Sequence, residues 1–127
     1  MTIAATTQTL RDGARNLVMQ LTGVSDGNAG GETLVSKVDV SELLPPASAV
    51  SVRKITGSVD YGIVELYWDA LTPVKFLELS GDVMLDYERV SGLQNTKPGG
   101  WTGDILLSTV GFELDSTYNL LIEMIKK

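Results

Sequence analysis

Three spacings in this chain carry residue types that could do chemistry. The run Asp26-Gly27-Asn28-Ala29-Gly30-Gly31 places oxygen ligands at alternate positions with a glycine at the sixth, like the opening half of a calcium loop. Its twelfth position is Lys37, where such a loop needs a bidentate carboxylate, so the run reads as a glycine-rich turn. Ser51-Val52-Arg53-Lys54 has the S-x-x-K spacing by which some acyl-transfer enzymes activate a serine with a lysine. That pairing needs a helical turn, whereas the local alternation predicts a strand, on which Ser51 and Lys54 face opposite ways. Asp82/Asp86 and Asp86/Glu88 are carboxylate pairs of the kind a glycosidase uses as acid and base, but on exposed strands they read as a solvated acidic face. Histidine and cysteine are both absent, which removes the commonest general base, the thiolate nucleophile and the usual soft metal ligands. The residues therefore predict a non-enzymatic module that works through its surface, with no catalytic residues, no cofactor and no metal.

Two aromatic residues offer recognition chemistry instead. Trp101 lies in a glycine-rich stretch and Tyr67 on the more polar side of an alternating run, and Trp and Tyr are enriched among residues that anchor interfaces. Stacking on a sugar ring is the other use of such a pair, so a carbohydrate-binding β module is one alternative reading.

The elements that must position these residues are short and alternating. Leu17, Met19 and Leu21 alternate with Val18, Gln20 and Thr22, and a turn through 25–31 leads to a strand near Glu32–Val40 with Leu34, Val38 and Val40 on one face. Pro45-Pro46 cannot donate to a ladder and marks a corner. Val50 and Val52 hold one phase while Ile55, Gly57 and Val59 hold the other, which predicts a β-bulge near Arg53-Lys54. A Tyr61-Gly62 turn, a strand from Val64 to Ala70, runs at Val74–Leu79 and Val83–Tyr87 divided by Gly81, and Ile105–Val110 follow. The last run, Thr117–Ile125, puts Tyr118, Leu120, Ile122 and Met124 on one side; it fits a strand better than a helix. Residues 88–103 lack periodicity and form a long loop, a class of segment that is often interfacial. About eight strands without a long helix predict an all-β fold, an antiparallel β-sandwich or jelly-roll-like barrel. Residues 14–127 form that single domain, and residues 1–13, rich in Thr and Ala, extend as an N-terminal arm.

Composition sets the remaining bounds. With 127 residues the chain is sized for one core, and at 43% hydrophobic and 20% charged it is globular in type. Residues 1–60 carry 5 basic and 6 acidic side chains, and residues 61–127 carry 5 basic and 10 acidic, so the net charge of −6 sits mainly in the second half. No basic patch extends beyond Arg53-Lys54 and Lys126-Lys127, which argues against a nucleic-acid partner. No stretch approaches the roughly 18 apolar residues of a membrane span, and the first residues lack a signal-peptide pattern, so the expectation is a chain made in the cytoplasm with no membrane contact.

Short blocks along the sequence carry a family likeness. They are Arg15-Asn16-Leu17-Val18, Leu21-Thr22-Gly23-Val24-Ser25-Asp26-Gly27, Glu32-Thr33, Lys37-Val38-Asp39-Val40-Ser41 and Leu66-Tyr67-Trp68-Asp69. Thr102-Gly103-Asp104-Ile105-Leu106-Leu107-Ser108-Thr109-Val110-Gly111 follows, with Tyr118 and Glu123 beyond it. In these blocks the chain resembles the small virion structural proteins of tailed bacteriophages, over most of its length after Ala14. The resemblance implies a capsid decoration or cement protein on the capsid exterior, bound to the major capsid protein and assembled as a homo-oligomer, with a trimer favoured. A tail, neck or baseplate component is the alternative within the same likeness. The contacts expected on that reading are Thr2, Ile3, Thr6, Thr7 and Leu10 of the arm with Leu93 and Trp101 of the long loop. Removing Met1–Asp12 is expected to leave the domain folded and weaken attachment.

Overall fold

The computed structural model describes residues 3–25 and 31–127, and for Ile3 and Ala4 the backbone alone. Among these residues the fold is all-β, with seven strands and only single 3-10 turns at Val40–Glu42 and Glu88–Val90. The strands are β1 (Ile3–Asp12), β2 (Asn16–Ser25), β3 (Val35–Val38), β4 (Val50–Trp68), β5 (Val74–Asp86), β6 (Ile105–Val110) and β7 (Thr117–Lys126). Every pairing is antiparallel, in the order β1-β2-β7-β4-β6-β3 with β5 on the other side of β4, so one sheet curls into a nearly closed barrel.

Strand β4 is the axis of this arrangement. Its first half pairs with β7 from Val50 to Asp60, and its second half pairs with β6 from Ile63 to Trp68. Strands β6 and β7 thus run end to end along one side of β4, separated by the excursion Gly111–Ser116, while β5 follows the other side. All three tracks bend at one level. Residues 60–63 of β4 stand opposite Ser80 alone, and the crease carries left-handed backbone at Tyr61 (φ 60°), Gly81 (φ 65°), Gly111 (φ 70°) and Asp115 (φ 65°). The bend folds β3, β6 and the second half of β4 over β1, β2, β7 and the first half.

The interior between these halves is aliphatic. Alternate residues Leu17, Met19 and Leu21 of β2 and Tyr118, Leu120, Ile122 and Met124 of β7 are buried against Ile55, Val64, Leu66, Ile105 and Leu107. Each fully buried side chain of this size contributes about 1.5–3 kcal/mol. Trp68 is the largest of the group and stacks on Phe76 with ring centroids 3.9 Å apart.

The structure corrects three expectations. The strand count is seven because β4 joins two expected strands across Tyr61-Gly62, β5 joins two across Gly81, and β1 is added. In each join the β4–β5 ladder breaks at the bend, after Val59↔Gly81, and resumes at Val64↔Leu79. Residues 3–12, expected as an extended arm outside the sheet, are extended but pair with β2 from Ile3↔Ser25 to Asp12↔Leu17, because the open edge of β2 offers their backbone groups partners. The third correction is β3, only four residues long, because Leu34 turns into the left-handed region at φ 48° and leaves the ladder. The register shift between Val52 and Lys54 is the bulge expected there, and Thr117–Lys126 is a strand. The turn at Asp26–Gly30 lies outside the described residues.

Asp12 has a structural task as well. Its carboxylate meets the buried ammonium of Lys126 at the end of β7 and accepts the Leu44 N–H at 2.8 Å, while Lys126 Nζ also donates to the Pro45 carbonyl at 3.0 Å. The Lys126 ammonium, followed by the Leu44 N–H, holds the Asp12 carboxyl below its ordinary range. A truncation ending at Asp12 therefore strips Lys126 of its counter-charge and opens the β2 edge.

Candidate interaction surfaces

Strand β1 closes one side of the sheet by pairing with β2 and leaves its other edge without a strand partner among the described residues. Its residues from Ala5 to Arg11 are exposed. Thr6 and Thr7 lie on opposite faces, and Leu10 is the extra residue of a bulge between the Thr9↔Met19 and Arg11↔Val18 pairs, 48% exposed. Facing this edge is a cleft of ≈ 400 Å³, lined by Thr7 and Thr9 of β1, by Lys37 of β3, and by Asp39, Glu42 and Leu43 beyond it. It marks the seam at which the barrel fails to close. Ile3 belongs to β1 by its backbone, and Thr2 lies outside the described residues.

The two expected contacts from the long loop sit apart from β1 in character. Leu93 bridges Val52, with Val52 N–H donating to the Leu93 carbonyl at 3.0 Å and Leu93 N–H returning to Val52 at 2.8 Å. Its side chain packs against the core. Trp101 is half-buried, its backbone N–H donating to the Pro98 carbonyl, with the Lys97 ammonium 5.3 Å from its ring centroid. Tyr67 donates its hydroxyl to Glu65 at 2.9 Å, and Glu65 also takes the ammonium of Lys75. Contact with Glu78 and then Glu65 pushes the Lys75 pKa up to about 12.

The residues of catalytic type are engaged structurally. Ser51 is buried and donates to the Ser91 carbonyl at 3.1 Å, whereas Lys54 lies 3.7 Å from Glu88. Asp82, Asp86 and Glu88 are all exposed, and Asp86 accepts the Glu88 N–H. Of the calcium-type run only Gly31 is described.

One buried polar cluster was not legible from spacing. Glu32, Lys37 and Tyr118 are all at least nine-tenths buried; Lys37 Nζ lies 2.5 Å from Glu32, and the Tyr118 hydroxyl donates to the other carboxylate oxygen. The Glu32 carbonyl also accepts the Thr109 N–H at 2.9 Å and the Glu32 N–H donates to the Thr109 hydroxyl at 3.0 Å, so the cluster locks the segment before β3 onto β6. Burial, reinforced by the Glu32 carboxylate, drives the Tyr118 pKa well above the ordinary tyrosine value. The unfolded chain then releases this proton at lower pH than the folded chain does. The contribution is complete below about pH 10 and falls as pH rises beyond it. Alkaline denaturation followed by circular dichroism is expected to show stability decreasing above that pH, with a shallower decrease in Tyr118→Phe.

Comparison of the chain with family models, with curated proteins and with solved structures returned no match to any of the three.

Proposed function

We propose that this chain is a non-enzymatic structural protein of a tailed-phage virion, a decoration or cement protein that binds the lattice of the major capsid protein from the capsid exterior. The observation that carries this reading is the open edge of β1. From Ile3 to Leu10 the strand IAATTQTL has no charge and no proline, the devices by which edge strands ordinarily discourage pairing. An uncharged, exposed edge beside an unfilled seam suits addition of an extended segment from another subunit. Many modest contacts of this kind on a closed lattice reinforce one another through avidity, which is how a small protein without chemistry stabilises a shell. The family likeness and the absence of histidine and cysteine support the same reading. Homo-oligomerisation, as a trimer, belongs to the proposal.

Quantitative mass spectrometry of purified particles tests it. Hundreds of copies per particle are expected for a lattice protein; about a dozen would move the chain to the neck or baseplate, and absence from particles would overturn the virion reading. The edge itself is tested by Thr6→Lys combined with Gln8→Lys, which adds two charges to exposed positions. That variant is expected to keep its melting temperature within a few degrees and to lose at least about tenfold in attachment.

A further inference from the structure

The crease in the barrel brings together apolar residues that are far apart in sequence. Ile63 pairs with Val110, the Ser116 hydroxyl donates to the Tyr61 carbonyl at 2.7 Å, and Ser25 N–H donates to the Ser116 carbonyl at 2.9 Å. These bonds place Val24, Tyr61, Ile63, Val110 and Leu114 around one corner, with exposures of 49%, 78%, 37%, 45% and 65%. Tyr61 is the most exposed of the five and is held in place. It is the one crease residue with left-handed backbone that is neither glycine nor aspartate, a conformation that strains a bulky side chain. Gly62 beside it has no room for a side chain, since a Cβ there would lie 2.3 Å from the Phe112 ring. Phe112 in turn packs on Tyr118 at 6.2 Å between ring centroids. The core thus fixes the crease and projects the Tyr61 ring into solvent.

Among the described residues, the charged side chains around this corner are all acidic. Asp60, Glu113 and Asp115 are exposed, and none of the three takes part in an ion pair among the described residues. Of the ten basic residues, none lies in the segments 23–25, 60–63 or 110–117 that form the corner. Arg11, Arg15, Arg53, Lys54, Lys126 and Lys127 lie toward the other end of β1, β2, β4 and β7.

We infer that the Tyr61 corner is a second docking surface, which inserts the Tyr61 ring into an apolar pocket rimmed by Lys or Arg side chains on a shell subunit. This inference rests on the virion reading and adds to it a contact centred on the crease, which adjoins β1 where Val24 pairs with Ala4. A strained, exposed aromatic in an apolar patch with unpaired carboxylates around it has the composition of an anchor and its steering rim.

The test is rebinding of the purified protein to particles depleted of it, measured by co-sedimentation across a salt series, for wild type, Tyr61→Gly and Glu113→Lys. Glycine accepts the left-handed backbone, so Tyr61→Gly is expected to fold with an unchanged or higher melting temperature, yet to rebind at least about tenfold more weakly. Glu113→Lys is expected to weaken rebinding most at low salt. Equal rebinding of Tyr61→Gly and wild type would overturn this inference and leave the virion reading standing, whereas failure of wild type to rebind would overturn both. A change in the free protein's oligomeric state in Tyr61→Gly, with rebinding intact, would show instead that the corner joins copies of this chain and would overturn the inference.

Discussion

Replacing Glu32 by alanine is expected to lower the unfolding free energy by about 3–5 kcal/mol, the cost typical of stranding a buried charge. Lys37, 8% exposed, loses its only ion-pair partner among the described residues, and the Tyr118 hydroxyl loses its acceptor. Lys37→Met alone is expected to cost a similar amount, because the Glu32 carboxylate then stays buried with Tyr118 as its remaining side-chain donor. The pair removed together, Glu32→Gln with Lys37→Met, is expected to recover much of the loss, since a buried ion pair contributes little net stability over a neutral replacement of similar size. Urea unfolding of wild type, Glu32→Ala, Glu32→Gln, Lys37→Met and the double variant checks this. Additive losses of Glu32→Gln and Lys37→Met in the double variant would show that the two side chains do not act as a unit.

Gly57→Ala is expected to be as damaging, by about 4 kcal/mol or more, through a steric mechanism. Gly57 sits in β4 between Leu120 of β7 and Val83 of β5, at φ +145°, where side-chain-bearing residues are rarely found. A Cβ built there lies 1.8 Å from the Asn119 carbonyl oxygen, backbone that cannot yield without breaking the ladder between β4 and β7. Gly99→Ala is the control: nothing lies within 4 Å of its Cβ position and its backbone is ordinary, so a change within about 0.5 kcal/mol is expected. Thermal unfolding of the two variants separates a local clash from a general intolerance of the fold to added methyl groups.

The strands that alternate against a single core face were legible in the sequence. In β2 and β7 nearly every second residue is buried, which is the pattern Leu17–Met19–Leu21 and Tyr118–Leu120–Ile122–Met124 announce. The phase slip at Arg53-Lys54 was legible for the same reason, since a bulge must move the apolar residues to the other parity. Strand β1 was not, because its exposed Thr, Gln and Ala residues leave no apolar periodicity to read. Tyr61-Gly62 and Gly81 looked like ends because they carry turn-type backbone, but here they bend strands whose ladders resume on the far side. Charged residues read as solvated by default, so Glu32 and Lys37 gave no sign of burial, which depends on their pairing with each other and on the Tyr118 hydroxyl brought to Glu32 by β7.

The two proposed surfaces divide along the same line. Thr6, Thr7 and Leu10 are exposed and lie on one strand, so their nearness follows from the sequence itself. Val24, Tyr61, Ile63, Val110 and Leu114 come from three segments that only the crease unites, and no local pattern joins them. Leu93 lies in an aperiodic stretch, and its bridge to Val52 and its packing against the core are long-range contacts that no local pattern announces.

The central claim is that β1 offers its open edge to a shell subunit, and the most direct measurement is a reconstruction of the virion at a resolution that traces the backbone. The account predicts a strand of the major capsid protein, or of a neighbouring copy held against it, hydrogen-bonded along Ile3–Leu10. A β1 edge left bare to solvent on a particle that carries the protein in full occupancy would contradict it.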